Sequence, residues 1–190
     1  GPATSVTHTR RREWLWLGGA PIFGGVAGPV ALTYGLAISE ASTASLMLNL
    51  EAVLTAMLAW CLFQENFDRR VLWGMLCIVA GGVLLVWAPG RPAEGSLGLA
   101  LVALACLCWA VDNNLTRRVS AVDAVFVATA KGLVAGSVSL GLALMLGQAL
   151  PSPGVLGLAM TVGFLGYGIS LVLFVLALRH LGTARTGAYF

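Results

Sequence analysis

Charged residues are scarce in this sequence: of 190 residues, 10% are Asp, Glu, Lys or Arg, while 58% are apolar. Soluble domains carry about 25% charged residues, so a water-facing surface cannot be covered here. Histidine is nearly absent as well, with His8 ahead of the first apolar run and His180 beside Arg179. The chain has no HExxH pair, no Gly-x-Ser-x-Gly elbow and no Walker loop. Asp112 and Asp123 lack the repeated aspartates that would hold Mg²⁺ for prenyl or phosphoalcohol transfer. Enzymatic activity, a metal and a cofactor are therefore not expected, nor is a nucleic-acid partner. The four cysteines, Cys61, Cys77, Cys106 and Cys108, lie inside apolar runs without a second CxC or CxxC motif, which reads as packing and not as metal ligation.

What the chain has in abundance is long apolar runs. A bilayer core about 30 Å thick needs roughly 20 apolar residues per helix, and six runs qualify, at 14–38, 42–63, 71–87, 97–115, 125–146 and 155–178. A seventh opens near Thr183 and has advanced about two turns by Phe190. The expected fold is an all-α membrane protein, a multi-span helical bundle with the lipid bilayer as its principal partner. The links are short, which predicts that sequential helices are antiparallel neighbours. Trp14, Trp16, Trp73 and Trp87 fall near run ends, as interfacial anchors do. Glycine pairs such as Gly18-Gly19, Gly24-Gly25 and Gly81-Gly82, with Gly163 and Gly166, suit close helix packing. Pro21 and Pro29 predict a kink or break in the first run. The first nine residues lack an initiator Met and a signal-peptide layout, so the expectation is a piece of a longer protein.

Arginine placement orients the bundle. Arg10, Arg11, Arg12, Arg69, Arg70, Arg117, Arg118, Arg179 and Arg185 fall at alternate run ends, and only Arg91 falls in the opposite set of links. Positive residues are retained on the cytoplasmic side. The Arg-rich loops are thus expected in the cytoplasm, with the protein integral to the cytoplasmic (inner) membrane.

Sliding the chain on itself by 140 positions matches Gly28 with Gly168, Leu36-Ala37 with Leu176-Ala177 and Thr43-Ala44 with Thr183-Ala184, and sets Tyr34 opposite Phe174. Five spans separate the two copies, so they run in opposite directions across the membrane. Inverted repeats are a mark of secondary transporters, whose halves form a site near the midplane and rock about it. The implied organisation is a cytoplasmic lead-in at 1–13, three spans of one repeat at 14–88, a link at 89–96, and a second repeat at 97–190.

The stretch Ala41-Ser-Thr-Ala-Ser-Leu-Met-Leu-Asn-Leu-Glu51, the helix end Leu62-Phe-Gln-Glu65, Gly74 with Ile78-Val-Ala-Gly-Gly82, and Phe174-Val-Leu-Ala-Leu-Arg179 resemble EamA-type transporters of the drug/metabolite transporter superfamily. The resemblance covers nearly the whole chain. It implies a ten-helix fold of two inverted five-helix repeats, present here as about six and a half spans, with a cavity between the repeats. In that family a proline often follows the mid-helix Glu; here Ala52 follows Glu51, which puts the associated bend in question.

Polar groups inside the spans are the candidate site. Glu51 lies midway along the second span, where an ionised carboxylate must be paired, protonated or in water. It reads either as a proton-coupling or substrate-amine group, or as a structural carboxylate bonded to neighbouring helices. Asn49, Tyr34, Trp109 and Tyr167 are further substrate candidates. Asp112, Asn113 and Asn114 near the cytoplasmic end of the fourth span form, with Lys131, a gating or ion-pair set. By the helix rise, Asp112 and Lys131 differ in depth by about 7 Å, so a bridge between them is feasible. The function expected is a secondary transporter, an exporter of a small metabolite or amphipathic compound by alternating access and proton-coupled. A flippase or a non-transporting membrane subunit on the same fold is the alternative.

Overall fold

The computed structural model describes residues 11–64, 69–86, 96–121 and 123–189, which are helical apart from short turns. Arg10, Trp87, Arg91 and the links at 65–68 and 87–95 lie outside the described residues, as do the side chains of Arg11, Arg12 and Trp14. Five helical stretches are long and apolar enough to cross a bilayer: Gly18–Ala37, Ala41–Leu62, Leu97–Val119, Ala124–Met145 and Pro153–Leu181. They coincide with five of the six expected spans. The remaining one is helical as Arg69–Val86. These are numbered first to sixth in chain order, and a seventh segment, Thr183–Tyr189, follows.

Two helix ends explain how the chain reverses. The second span stops at Phe63 because Gln64 adopts a left-handed conformation, φ 53°, and its N–H bonds back to the Ala59 and Trp60 carbonyls. The sixth stops at Gly182, φ 83°, where only glycine avoids a Cβ clash. That turn leads directly into the seventh segment.

The fourth span is the axis of the bundle. Half of its apolar window is buried, against 33% or less for the other four long spans. Its main partners are the first and second spans. By contrast, the fourth and fifth spans, joined by the short link at 120–123, make little backbone contact. A short link fixes direction but not lateral packing. In lipid, where burying Leu gains nothing over lipid tails, helices approach where side chains are small.

The first span supplies such a face. Ala20, Gly24, Gly28, Ala31 and Gly35 recur every three or four residues and are all buried. A Cβ on Gly35 would stand 2.9 Å from the Gly98 carbonyl oxygen of the fourth span, and one on Gly24 would overlap the Asp112 carboxylate. Gly18, Gly81, Gly163 and Gly166 instead meet nothing within 4 Å. Among the described residues the predicted glycine packing thus holds at Gly19, Gly24 and Gly25 of the first span. Towards the arginine-bearing end, Val119, Ala124, Val127 and Val175 form an apolar cluster with Trp16 packed on it.

The kink predicted from Pro21 and Pro29 takes the form of a π-helical segment, Ile22–Ala27, between the two prolines. Its cause is local. Pro29 has no N–H, and the Gly28 N–H bonds to the Phe23 carbonyl, so the Gly24 carbonyl loses its helical donors. The Trp109 indole Nε1 donates to it instead, at 3.0 Å. The sixth span carries a second π segment, Gly163–Gly168. Ile22 shifted by 140 positions falls on Val162, one residue before this segment begins. The two sequence copies therefore carry their π segments one residue out of register, although the second contains no proline there.

Candidate functional site

The second span tightens for one turn between Met47 and Leu50, while Leu48 and Asn49 keep right-handed helical dihedrals. There Asn49 N–H bonds to Leu46 O at 3.2 Å and Glu51 N–H to Leu48 O at 3.0 Å, each three residues back. Asn49 Nδ2 also donates to Leu46 O, at 3.0 Å. The Cys106 thiol of the fourth span lies 3.6 and 3.8 Å from the Met47 and Leu48 carbonyl oxygens. A tightened turn thus stands just ahead of Glu51 without the family's proline, with an amide and a thiol on its carbonyls.

Glu51 sits in the first turn of the helical segment that follows, half-buried. Asn113 Nδ2 donates to its Oε1 at 2.9 Å and to Thr55 Oγ1 at 3.2 Å. Asn114 clamps the same two spans by donating to the Thr55 carbonyl at 3.1 Å and to Ala110 O at 2.8 Å. Asn113, grouped with the ion-pair set on sequence, is therefore brought to the glutamate.

Asp112 faces the other way, since successive helix residues turn by about 100°. Lys131 Nζ donates to its Oδ1 and Oδ2 at 2.8 and 2.9 Å and to Thr116 Oγ1 at 3.0 Å, while Thr116 donates to Asp112 Oδ1 at 3.0 Å. The ammonium has three donors, and all three are used. Both charges are buried, with side-chain exposures of 6% and 9%. The bridge that the depth argument allowed is formed, sealed against Gly24 of the first span.

The other candidates disperse. Trp109 is committed to the Gly24 carbonyl, away from Glu51. Tyr34 is exposed on the first span, and Asn49 is exposed at the tightened turn. Tyr167, within the second π segment and also exposed, lies within electrostatic reach of both Asp112 and Glu51. Thr55 and Thr116 were missed, yet each stands four residues after a carboxylate, on the same helical face. That spacing is legible in sequence. Cys106, read as packing, also meets the carbonyls of the tightened turn.

A cavity of about 570 Å³ opens beside Glu51. The second span contributes Leu48, Asn49, Glu51, Ala52 and Ala56, and the third contributes Arg70, Val71, Gly74, Met75 and Ile78. Asn113, Phe174, Ala184, Arg185 and Gly187 close it from the fourth, sixth and seventh elements. The volume lies within the range of small-molecule sites, about 300–1,000 Å³.

A bundle of apolar spans, with a carboxylate and amides facing a cavity, defines a multi-pass integral membrane protein with an internal polar site. Residues 3–87 match the EamA-like transporter family. An uncharacterized transporter of Methanothermobacter thermautotrophicus is 28% identical across 98% of this chain, which spans 56% of that relative's length. By these two matches the chain is similar to EamA-like transporters.

Proposed function

We propose that this chain forms the substrate-handling core of a secondary transporter that exports a small metabolite or amphipathic compound across the cytoplasmic membrane by alternating access. The observation that carries the reading is the cavity containing Glu51, whose walls come from spans on both sides of the 89–96 link. Those spans belong to the two inverted repeats, so rocking one repeat on the other would close the cavity on one side and open it on the other.

Glu51 is the coupling group in this scheme. Asn113 fixes one carboxylate oxygen while the group remains on the cavity wall. A carboxylate enclosed at membrane depth must be neutralised or paired. A proton or a substrate ammonium can each do this, but not both at once, so the two alternate and outward movement of one is tied to inward movement of the other. Asn49 at the tightened turn and Tyr167 at the second π segment are assigned to orienting substrate. Asp112 and Lys131 hold the fourth and fifth spans in register, and Asn114 holds the second against the fourth. Trp109 supports the first π segment. Tyr34 lies on the outer face of the first span, away from the cavity.

The test is transport by the full-length protein in everted vesicles, with a panel of amino acids and amphipathic amines and an imposed pH gradient. Glu51→Gln keeps the shape and the Asn113 bond but cannot take up a proton. The variant is expected to lose gradient-driven transport; unchanged transport with unchanged pH dependence ends the coupling role.

A further inference from the structure

Glu51 is not the only charge on the cavity wall. Arg70, in the first turn of the third span, and Arg185, in the first turn of the seventh segment, line the same space. Among the described residues these three are the charged groups of the lining, so the wall carries a net positive charge. Glu51 and Arg70 are also separated along the membrane normal. Glu51 precedes the Phe63 end of its helix by roughly 18 Å of rise, while Arg70 stands at the very start of the third span. Between them the wall is apolar, with Val71, Met75, Ile78 and Phe174.

Under the 140-residue shift, Thr183 and Ala184 fall on the identical Thr43 and Ala44, but Arg185 falls on Ser45. Both Thr-Ala steps are buried in the bundle. The guanidinium thus appears in the copy whose residue lines the cavity. A guanidinium presents a planar fork of donors matched to carboxylate or phosphate oxygens.

We infer that the cavity selects an amphipathic substrate bearing an anionic group, a carboxylate or a phosphate, which Arg185 and Arg70 on its wall hold while an amine, where present, meets Glu51. A simple amphipathic amine is then a poor substrate, because it meets two guanidinium groups for one carboxylate. The clamp would also join the third span to the seventh segment, tying substrate occupancy to the relative position of the two repeats. This inference rests on the cavity being the substrate site.

The test uses the full-length protein in phosphatidylcholine nanodiscs, free of anionic lipid, with thermal protection measured against four probes of one chain length: hexylamine, hexanoate, hexyl phosphate and 6-aminohexanoate. Hexanoate, hexyl phosphate and 6-aminohexanoate should protect at lower concentration than hexylamine. Arg185→Gln is the cleaner variant, since Arg70 has a further partner in the structure. It should weaken the three anion-bearing probes by roughly tenfold or more, the scale of a charge-assisted hydrogen bond, and leave hexylamine unchanged or improved. Arg185→Lys should restore part of the loss. Glu51→Gln should remove the advantage of 6-aminohexanoate over hexanoate. Gly74→Trp, which fills open space in the cavity, should abolish protection by every probe. Hexylamine protecting best, or an unchanged ranking in Arg185→Gln while Gly74→Trp still abolishes protection, overturns the anion clamp and leaves the cavity as the site. Protection that survives Gly74→Trp overturns the cavity reading itself, and the clamp with it.

Discussion

Asp112 and Asn113 are neighbours in sequence and yet serve two different environments. Asp112 turns to Lys131 and Thr116, in a site where each carboxylate oxygen and each ammonium proton has a partner and little of either side chain reaches the surface. Asn113 turns to Glu51, where one amide holds one oxygen of a half-buried acid beside a cavity. The contrast separates a fastened pair from an available group. A saturated ion pair has no free capacity for a ligand and loses much if it opens, because each charge would remain in a medium that cannot solvate it. An acid with a single neutral donor still has room for a proton or an ammonium.

Breaking the fastened pair should therefore have the largest effect on stability. Lys131→Met leaves Asp112 buried and unpaired, and is expected to cost about 3–5 kcal/mol in detergent-solubilised thermal unfolding. Adding Asp112→Leu to it should recover much of that loss. If Lys131→Met is as stable as the parent, Asp112 and Lys131 do not fasten the bundle, and a gate that opens in the other transport state becomes the better account. Glu51→Gln, whose large effect is on transport, should by comparison change unfolding by less than about 1 kcal/mol, since the amide still accepts from Asn113.

The two π segments sharpen the comparison at smaller scale. Gly24→Ala places a methyl group on the Asp112 carboxylate and should cost about 1–3 kcal/mol, the range for overpacking a filled site. Gly163→Ala and Gly166→Ala, which meet open space, should stay within about 0.5 kcal/mol of the parent, as surface substitutions do. Equal costs at Gly24 and Gly163 would mean that the second π face is packed against another helix. Trp109→Phe is expected to fall between these two. It keeps the ring but orphans the Gly24 carbonyl, for about 1 kcal/mol, read as earlier hydrogen exchange of the amides around Ile22–Ala27.

Much of this was legible beforehand. Span positions follow from apolar runs because a bilayer leaves the backbone no partner but its own helix. Depth alone made a bridge between Asp112 and Lys131 feasible, because a helix rises by a fixed amount per residue. What escaped were facts about lateral direction. Asn113 was read with Asp112 because they are adjacent, although 100° of helix rotation sends them to different spans. The tightened turn at Leu48-Asn49 escaped because it has no proline to announce it. Cys106, whose thiol lies on its carbonyls, stands more than fifty residues away in sequence.

The sequence by itself determined a membrane bundle, its span positions, a 140-residue self-similarity and a short set of polar residues that had to be accounted for inside lipid. These depend on composition and on distance along the chain, which a helix converts directly into depth. Only the tertiary structure decided which polar residues meet. Side-chain pairing depends on rotation about each helix and on which small-residue faces come together, and neither is encoded in the order of the spans. So Glu51 acquired Asn113, a cavity and two arginines, while Asp112, one residue away on the same helix, was closed off with Lys131.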